Sequence, residues 1–225
     1  MAKPLAITIK VASRKSPLAI AQVDEVLEEI SSHYEGVDFI SITTTTHGDN
    51  DLTTSLRTMG KTDFFTRAVD NLVLATICRV AVHSAKDLPD PLPRDLKIVA
   101  LTKGVDPADA LVMRKGTTFD TLPINAVIAT SSERREQTVR ALRKDLKFVD
   151  IRGTIGQRLE KLESGEVDGV VIAEAALIRL KLTHVNRIKL PGDTTPGQGQ
   201  LAVVSLADDH EMAEMFSYID SRIKR

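Results

Sequence analysis

A single cysteine, Cys78, is the only thiol in this 225-residue chain. An internal disulfide and any multi-cysteine metal site are thereby excluded. No apolar run approaches the roughly 18–20 residues that a membrane-spanning helix needs. The first stretch, MAKPLAITIKVASRK, lacks the long apolar core of a signal peptide. A basic excess is lacking too. Thirty Lys and Arg stand against 31 Asp and Glu, a formal net charge of −1, whereas a general nucleic-acid binder carries surplus positive charge; any basic patch must be local. There is no internal repeat, no low-complexity tract and no GxxxxGK[ST] phosphate loop. No His, Asp and Glu cluster at metal-ligand spacing. These absences lead us to expect a soluble, cytoplasmic protein without a metal.

Apolar residues make up 42% of the chain, enough for a packed core in every segment. Short β-branched runs alternate with helical patterns. LAITIKVAS, DFISITTTT, VAVHS, LKIVALT, ALVMR, AVIATS, LKFVDIR and DGVVIAE read as strands. Helical spacing of apolar residues marks SPLAIAQVDEVLEEISSHY and TDFFTRAVDNLVLATICR. SERREQTVRALRK, GQRLEKLESG (closed by Gly165 as C-cap) and DHEMAEMFSYIDSRIKR complete the helices. The alternation predicts α/β sheets, mostly parallel. Two turn-rich stretches, Thr102–Ala110 and Leu190–Gln200, read as crossings between two lobes. Lobe one is expected at 1–101 plus 199–225, lobe two at 106–193, with hinges near 102–105 and 194–198 and a cleft between the lobes.

In open α/β sheets ligands sit beyond the C-terminal strand ends, against helix N-termini. Four such junctions carry polar residues. VASRKSPLA puts Arg14 after a strand, Ser16 at an N-cap and Pro17 at the first helical position. IATSSERRE puts Thr130, Ser131 and Ser132 at a strand end, then Arg134 and Arg135 in a first helical turn. DIRGTIGQR places Arg152 at a strand end, Gly153 and Gly156 in the turn, and Arg158 just inside the next helix. First turns favour acidic residues, so arginines there point to a bound anion, which a guanidinium grips bidentately; solvated arginines are the plain alternative. Their spread over several loops suggests a long ligand with many charges.

The fourth junction is VAVHSAKDLPD. A buried strand ends in His83, Ser84, Lys86 and Asp87 before Pro89 stops any helix. Asp87 can stabilise a cation on a ligand or shuttle a proton; a loop aspartate capping a turn is the plain alternative. His83 reads as a structural, hydrogen-bonded residue. A Ser84–His83 nucleophile is disfavoured because adjacent strand residues point to opposite faces. His47, in TTTTHGDND, reads as a loop residue.

Taken together, ASRKSPLAIAQ, VAVHSAKDLP, ATSSERR, DIRGTIGQRLEKLESGEVDGVVIAEAALIRL and PGQGQLAV resemble the porphobilinogen deaminase (hydroxymethylbilane synthase) family, in order along nearly the whole chain. The resemblance implies a two-lobed α/β fold of the type II periplasmic-binding-protein kind. It also implies a transferase of tetrapyrrole (haem) biosynthesis that joins four porphobilinogen units head to tail, releasing ammonia, on a dipyrromethane cofactor. By motif, Asp87 and Lys86 are the implied catalytic pair. Arg14, Ser16, Ser84, Lys86, Thr130, Ser131, Ser132, Arg134, Arg135, Arg152, Gly153 and Arg158 are implied to hold the carboxylates of cofactor and substrate, and Gln198 falls in the interlobe segment. A monomer is the family expectation.

The chain departs from that pattern at three places. The family's third, C-terminal domain, whose loop cysteine binds dipyrromethane, is expected to be absent, since the chain stops at Arg225 and has no cysteine after Cys78. Cys78 is disfavoured as a substitute, lying roughly 16 Å from Lys86 at the far end of a strand. RTMGKTDFF keeps Lys61 near the family's loop lysine but adds Asp63. His47 stands where the family often has arginine. Beside an active deaminase, two other readings stay open: a non-catalytic binder of porphobilinogen or another polycarboxylate, and a lobe pair that needs a separate completing chain.

Overall fold

The computed structural model describes residues 7–51, 54–55, 57 and 62–223; Lys61 lies outside them. Along the chain run strands β1 (Ile7–Arg14), β2 (Val37–Thr44), β3 (Val80–Ser84), β4 (Leu96–Leu101), β5 (Asp109–Met113), β6 (Val127–Ala129), β7 (Lys147–Val149), β8 (Gly169–Ala173), β9 (Arg187–Lys189) and β10 (Leu201–Leu206). The helices are α1 (Pro17–Ser31), α2 (His47–Asn50), α3 (Arg67–Leu74), α4 (Glu133–Leu142), α5 (Ile155–Glu163), α6 (Glu174–Arg179) and α7 (His210–Phe216).

The described residues group into two units, one within Met1–Asn50, Lys61–Gly104 and Gln200–Arg225, the other within Asp51–Gly60 and Val105–Gly199. The first holds a five-stranded sheet ordered β2-β1-β3-β10-β4, the second one ordered β7-β6-β8-β5-β9. Asp51 and Arg57, expected in lobe one, group with the second unit. Arg152 donates to the Asp51 carbonyl, and Arg57 bonds to Glu136 and the Thr130 carbonyl.

Period-two alternation sorts the first sheet's two faces. Val80 and Val82 of β3 pack with Val23, Val26 and Ile30 of α1 and Met212 and Phe216 of α7. Ala81 turns the other way, toward Val69 and Val73 of α3. Each fully buried Val, Ile or Leu contributes roughly 1.5–3 kcal/mol, so α1 and α3 clamp β3 from both sides. In the second unit Leu111, Ile128 and Val171 pack against Val139 of α4.

The mostly parallel expectation needs correction. β1 pairs in parallel with β2 and β3, and β6 with β7 and β8, but every pairing of β5 and of β10 is antiparallel. These two strands follow the places where the chain passes from one unit to the other. A strand entering that way is not bound to the right-handed βαβ crossover that makes neighbours parallel. Two helices are also shorter than their periodicity suggests. α3 is confined to Arg67–Leu74 and followed by Thr76 in left-handed backbone at φ 56°. The last helix stops at Phe216, with a single 3₁₀ turn, Ser217–Ile219, after it. Among the described residues no helix is long and apolar enough to cross a membrane.

Candidate functional site

Because β1, β2 and β3 are parallel, Arg14, Thr44 and Ser84 finish at one edge of the first sheet. β10 starts there, Leu201 opposite Ser84, and the Ala85 N–H donates to the Gln200 carbonyl at 3.0 Å. The opposed directions expected of adjacent strand residues are seen at the end of β3. His83 reaches back to α3, its Nε2 2.9 Å from Asp70 Oδ1 in a buried pair. The Ser84 hydroxyl instead accepts from Gln22 Nε2 of α1 at 2.8 Å. One 3₁₀ turn, Ala85–Asp87, follows, anchored by buried Leu88. Lys86 and Asp87 are both half-buried. Among the described residues the Asp87 carboxylate accepts no hydrogen bond.

Arg14 and Ser16 occupy the same edge. Arg14 donates through Nε (3.2 Å) and Nη2 to the two oxygens of Asp49, and its guanidinium carbon lies 4.8 Å from the centre of the Phe65 ring. Burial pushes the Asp49 carboxyl up, but hydrogen bonds from Arg14 and Thr46 bring it below the ordinary carboxylate range. A Cβ on Gly48 would come within 2.3 Å of the Phe65 ring, so glycine lets α2 close on the aromatic pair Phe64 and Phe65. His47 meets Phe64 edge-on, ring centres 5.0 Å apart. Ser16 is the N-cap of α1, its hydroxyl accepting from the Ala19 N–H at 3.2 Å.

In the second unit β6, β7 and β8 are parallel and end together, and β5 begins there with Asp109 opposite Ala173. Thr130 Oγ1 accepts from the Ser132 N–H (3.3 Å), and Ser132 caps α4. The Ser131 hydroxyl donates to the Ile151 carbonyl and accepts from its N–H, stitching the β6 and β7 exits together. Arg134 and Arg135 both bind Asp109. Burial raises that carboxyl, yet Arg135 and Arg134 outweigh it and hold it below its ordinary value. Arg152 donates to the Asp51 carbonyl at 2.7 Å. Gly153 turns at φ 98°, where a Cβ would lie 2.7 Å from Gln157 Oε1, and Arg158 Nε donates back to the Gly153 carbonyl at 3.0 Å. A recess of about 610 Å³ opens here, lined by Arg152, Gly153, Gln157 and Lys161 among others.

The expected residues therefore gather on two edges: Arg14, Ser16, Ser84, Lys86 and Asp87 on the first sheet, and Thr130, Ser131, Ser132, Arg134, Arg135, Arg152, Gly153 and Arg158 on the second. The acids that answer the arginines, Asp49 and Asp109, were not anticipated, nor was Arg57. Each edge by itself carries donors suited to a carboxylate: a guanidinium, an ammonium and hydroxyls on the first sheet, and guanidiniums and hydroxyls beside the starts of α4 and α5 on the second. Cys78 does not fit as a covalent anchor for a ligand. It is 2% exposed in the α3 core, and burial raises its thiol pKa more than Lys10 lowers it, whereas the reactive form is the thiolate.

The family model "Porphobilinogen deaminase, dipyromethane cofactor binding domain" matches residues 9–214. The porphobilinogen deaminase of Natranaerobius thermophilus is 36% identical over 221 residues, 96% of this chain and 71% of its own length. That of Desulforudis audaxviator is 38% identical over 215 residues, 94% and 70%. Among solved structures, the methionine-binding protein MetQ matches with TM-score 0.61 at 14% identity, over 94% of this chain and 89% of its own. A periplasmic substrate-binding protein from Coxiella burnetii matches with TM-score 0.59 at 14% identity, over 94% and 91%. At such identity the likeness concerns the fold, which is of the type II periplasmic-binding-protein kind.

Proposed function

Because the chain belongs to the porphobilinogen deaminase family, we propose that Asp87 is the carboxylate that carries its chemistry and that Lys86 works beside it. The family's enzymes are transferases of porphyrin biosynthesis that condense four porphobilinogen units head to tail with loss of ammonia. Bound dipyrromethane supplies the pyrrole terminus on which the chain grows. As ammonia leaves porphobilinogen, positive charge spreads into its pyrrole, and Asp87 offsets that charge. For unit charges about 4 Å apart at an effective dielectric near 20 the attraction is on the order of 4 kcal/mol. The departing amine needs a proton and the attacked ring carbon gives one up. A carboxylate whose lone pairs accept no hydrogen bond from the described residues can mediate both. That bare carboxylate at the end of β3 is the observation that carries this reading.

Most of the remaining residues hold carboxylate side chains of pyrroles. Arg14, Lys86, Arg134, Arg135, Arg152 and Arg158 supply charge. Ser16, Ser84 and Ser132 accept hydrogen bonds from protein donors, which leaves each hydroxyl proton for the ligand. Thr130 and Ser131 keep the β6 exit in shape, and Gly153 provides the tight turn before α5. Segments 102–105 and 194–198 serve as hinges. The protein works as a cytoplasmic monomer on a small pyrrole, without nucleic acid or membrane; the net charge of −1 supports the first exclusion. Cys78 plays no part in holding the primer.

The test is ammonia release from porphobilinogen by the purified chain and by Asp87→Ala. Release by the parent and its loss in the variant are the expected results. Saturable binding with no ammonia from the parent would favour a binder, and turnover restored by a second protein would favour a chain that needs completing. Intact mass shows whether a two-pyrrole adduct is carried, and Cys78→Ser is expected to leave that mass increment unchanged.

A further inference from the structure

Arg134 and Arg135 are neighbours on α4, where successive side chains diverge by about 100° around the axis. They nevertheless meet on one carboxylate. Arg135 Nε and Nη2 lie 2.9 and 2.7 Å from Asp109 Oδ1, and Arg134 Nη2 bonds Oδ2. Asp109 is 2% exposed and opens β5, opposite Ala173 of β8, while its carbonyl accepts from the Leu190 N–H at 2.8 Å. The Gln198 amide closes the cluster, donating to Asp109 Oδ1 at 3.0 Å and accepting from Arg135 Nη2 at 3.3 Å. The mechanism above uses the two arginines and gives Asp109 no role.

We infer that Asp109 is a positioning residue, which binds Arg134 and Arg135 side by side and presents them to a ligand carboxylate as one preorganised site with a single net positive charge. The inference rests on the reading of those arginines as carboxylate holders. Two flexible cations on adjacent positions repel each other and sample many rotamers. A buried acid fixed in a strand draws them into one geometry, and sites carried by strands hold their geometry better than sites on loops. The local sum is one charge, which matches one carboxylate.

The positioning role predicts a sign that charge counting alone would reverse. Asp109→Asn raises the local charge by one. If Asp109 merely diluted the positive field, that change would tighten binding of an anionic pyrrole. If it positions the arginines, the change loosens binding, because the ligand must then order them itself.

Porphobilinogen is titrated by calorimetry, at fixed ionic strength, into the parent chain and into Asp109→Asn, Asp109→Glu, Arg134→Ala and Arg135→Ala. About tenfold weaker binding is expected for Asp109→Asn, the scale of one charge-assisted hydrogen bond. About threefold weaker binding is expected for Asp109→Glu, which keeps the charge and shifts it by one methylene. Unchanged or tighter binding in Asp109→Asn, with weaker binding in Arg135→Ala, overturns the inference and spares the arginine reading. Unchanged binding in both arginine variants overturns both. If Asp109→Asn does not fold, Asp109→Glu decides: weaker binding at an unchanged melting temperature supports the inference, and unchanged binding overturns it.

Discussion

Asp87 and Asp109 stand at corresponding places in their units, each beside the edge where parallel strands end, and each close in sequence or space to cationic side chains. Their surroundings differ in every physical respect. Asp109 is buried, accepts from two guanidiniums and an amide, and is held below its ordinary pKa. Asp87 is half-buried and, among the described residues, accepts nothing. An acid with both oxygens held by side chains of its own unit is part of the framework. An acid on a surface turn that accepts nothing from the described residues is available to a ligand. The contrast separates the residue expected to react from the one expected to arrange.

The largest effect should come from the bare acid. Asp87→Asn preserves shape and removes charge. Turnover is expected to fall by about 10³-fold, within the range for loss of a general acid–base or an electrostatic stabiliser. Thermal unfolding should shift little, within about 0.5 kcal/mol, since among the described residues no hydrogen bond to the carboxylate is lost. A variant that keeps its turnover, or that unfolds easily, would erase the distinction between the two acids.

Asp109→Asn should show the reverse profile. Removing one partner of a buried ionic cluster is expected to cost about 3 kcal/mol of stability, readable in urea or thermal unfolding, and to reduce turnover far less than Asp87→Asn does. The pH dependence has a definite sign. A carboxyl whose folded pKa lies below its ordinary value near 3.8 contributes stability above that value. The contribution is lost as pH falls through the folded pKa. The melting temperature of the parent should therefore fall on acidification below about pH 4, and Asp109→Asn should flatten that fall. Asp49, lowered through Arg14 and Thr46, adds a second component that the variant retains.

The two acids also differ in how legible they are in the sequence. VAVHSAKDLP shows a strand, a break and a charged pair within ten residues, so Asp87 and its turn can be read directly. The five residues VAVHS match β3 end to end, because burial of Val80 to His83 on both faces leaves no ambiguity. Asp109 hides in ALVMR's leader, 25 residues from Arg134, where nothing local links them. The junction arginines read as unanswered cations, yet Arg14, Arg134 and Arg135 each have a carboxylate partner in the folded chain. The first turn of α4 carries Glu133 and Glu136 as well as arginine, which softens the helix-dipole argument for an anion there. β9 and β10 went unrecognised, the first because three residues give no period, the second because LAVVSL follows directly on the turn-rich stretch 190–200 and was assigned to lobe one without being read as a strand. The direction of β5 and β10 is a property of the whole chain path, invisible to any window.

The smallest expected effects concern the hydroxyls at the same two edges. Ser16 and Ser132 are both N-caps with the same bond to the third helical N–H, so Ser16→Ala and Ser132→Ala should each cost about 1 kcal/mol of stability. If their protons also reach a ligand, porphobilinogen affinity should fall as well, measurably in the same calorimetric titration. Gly at either position keeps most of the helix stability but removes the hydroxyl, so it separates the two contributions. Affinity that falls in Ser16→Gly while the melting temperature stays near the parent's would place the first edge, with its bare acid, in contact with the ligand. Affinity that tracks stability in all four variants would leave these serines as caps and confine recognition to the charged residues.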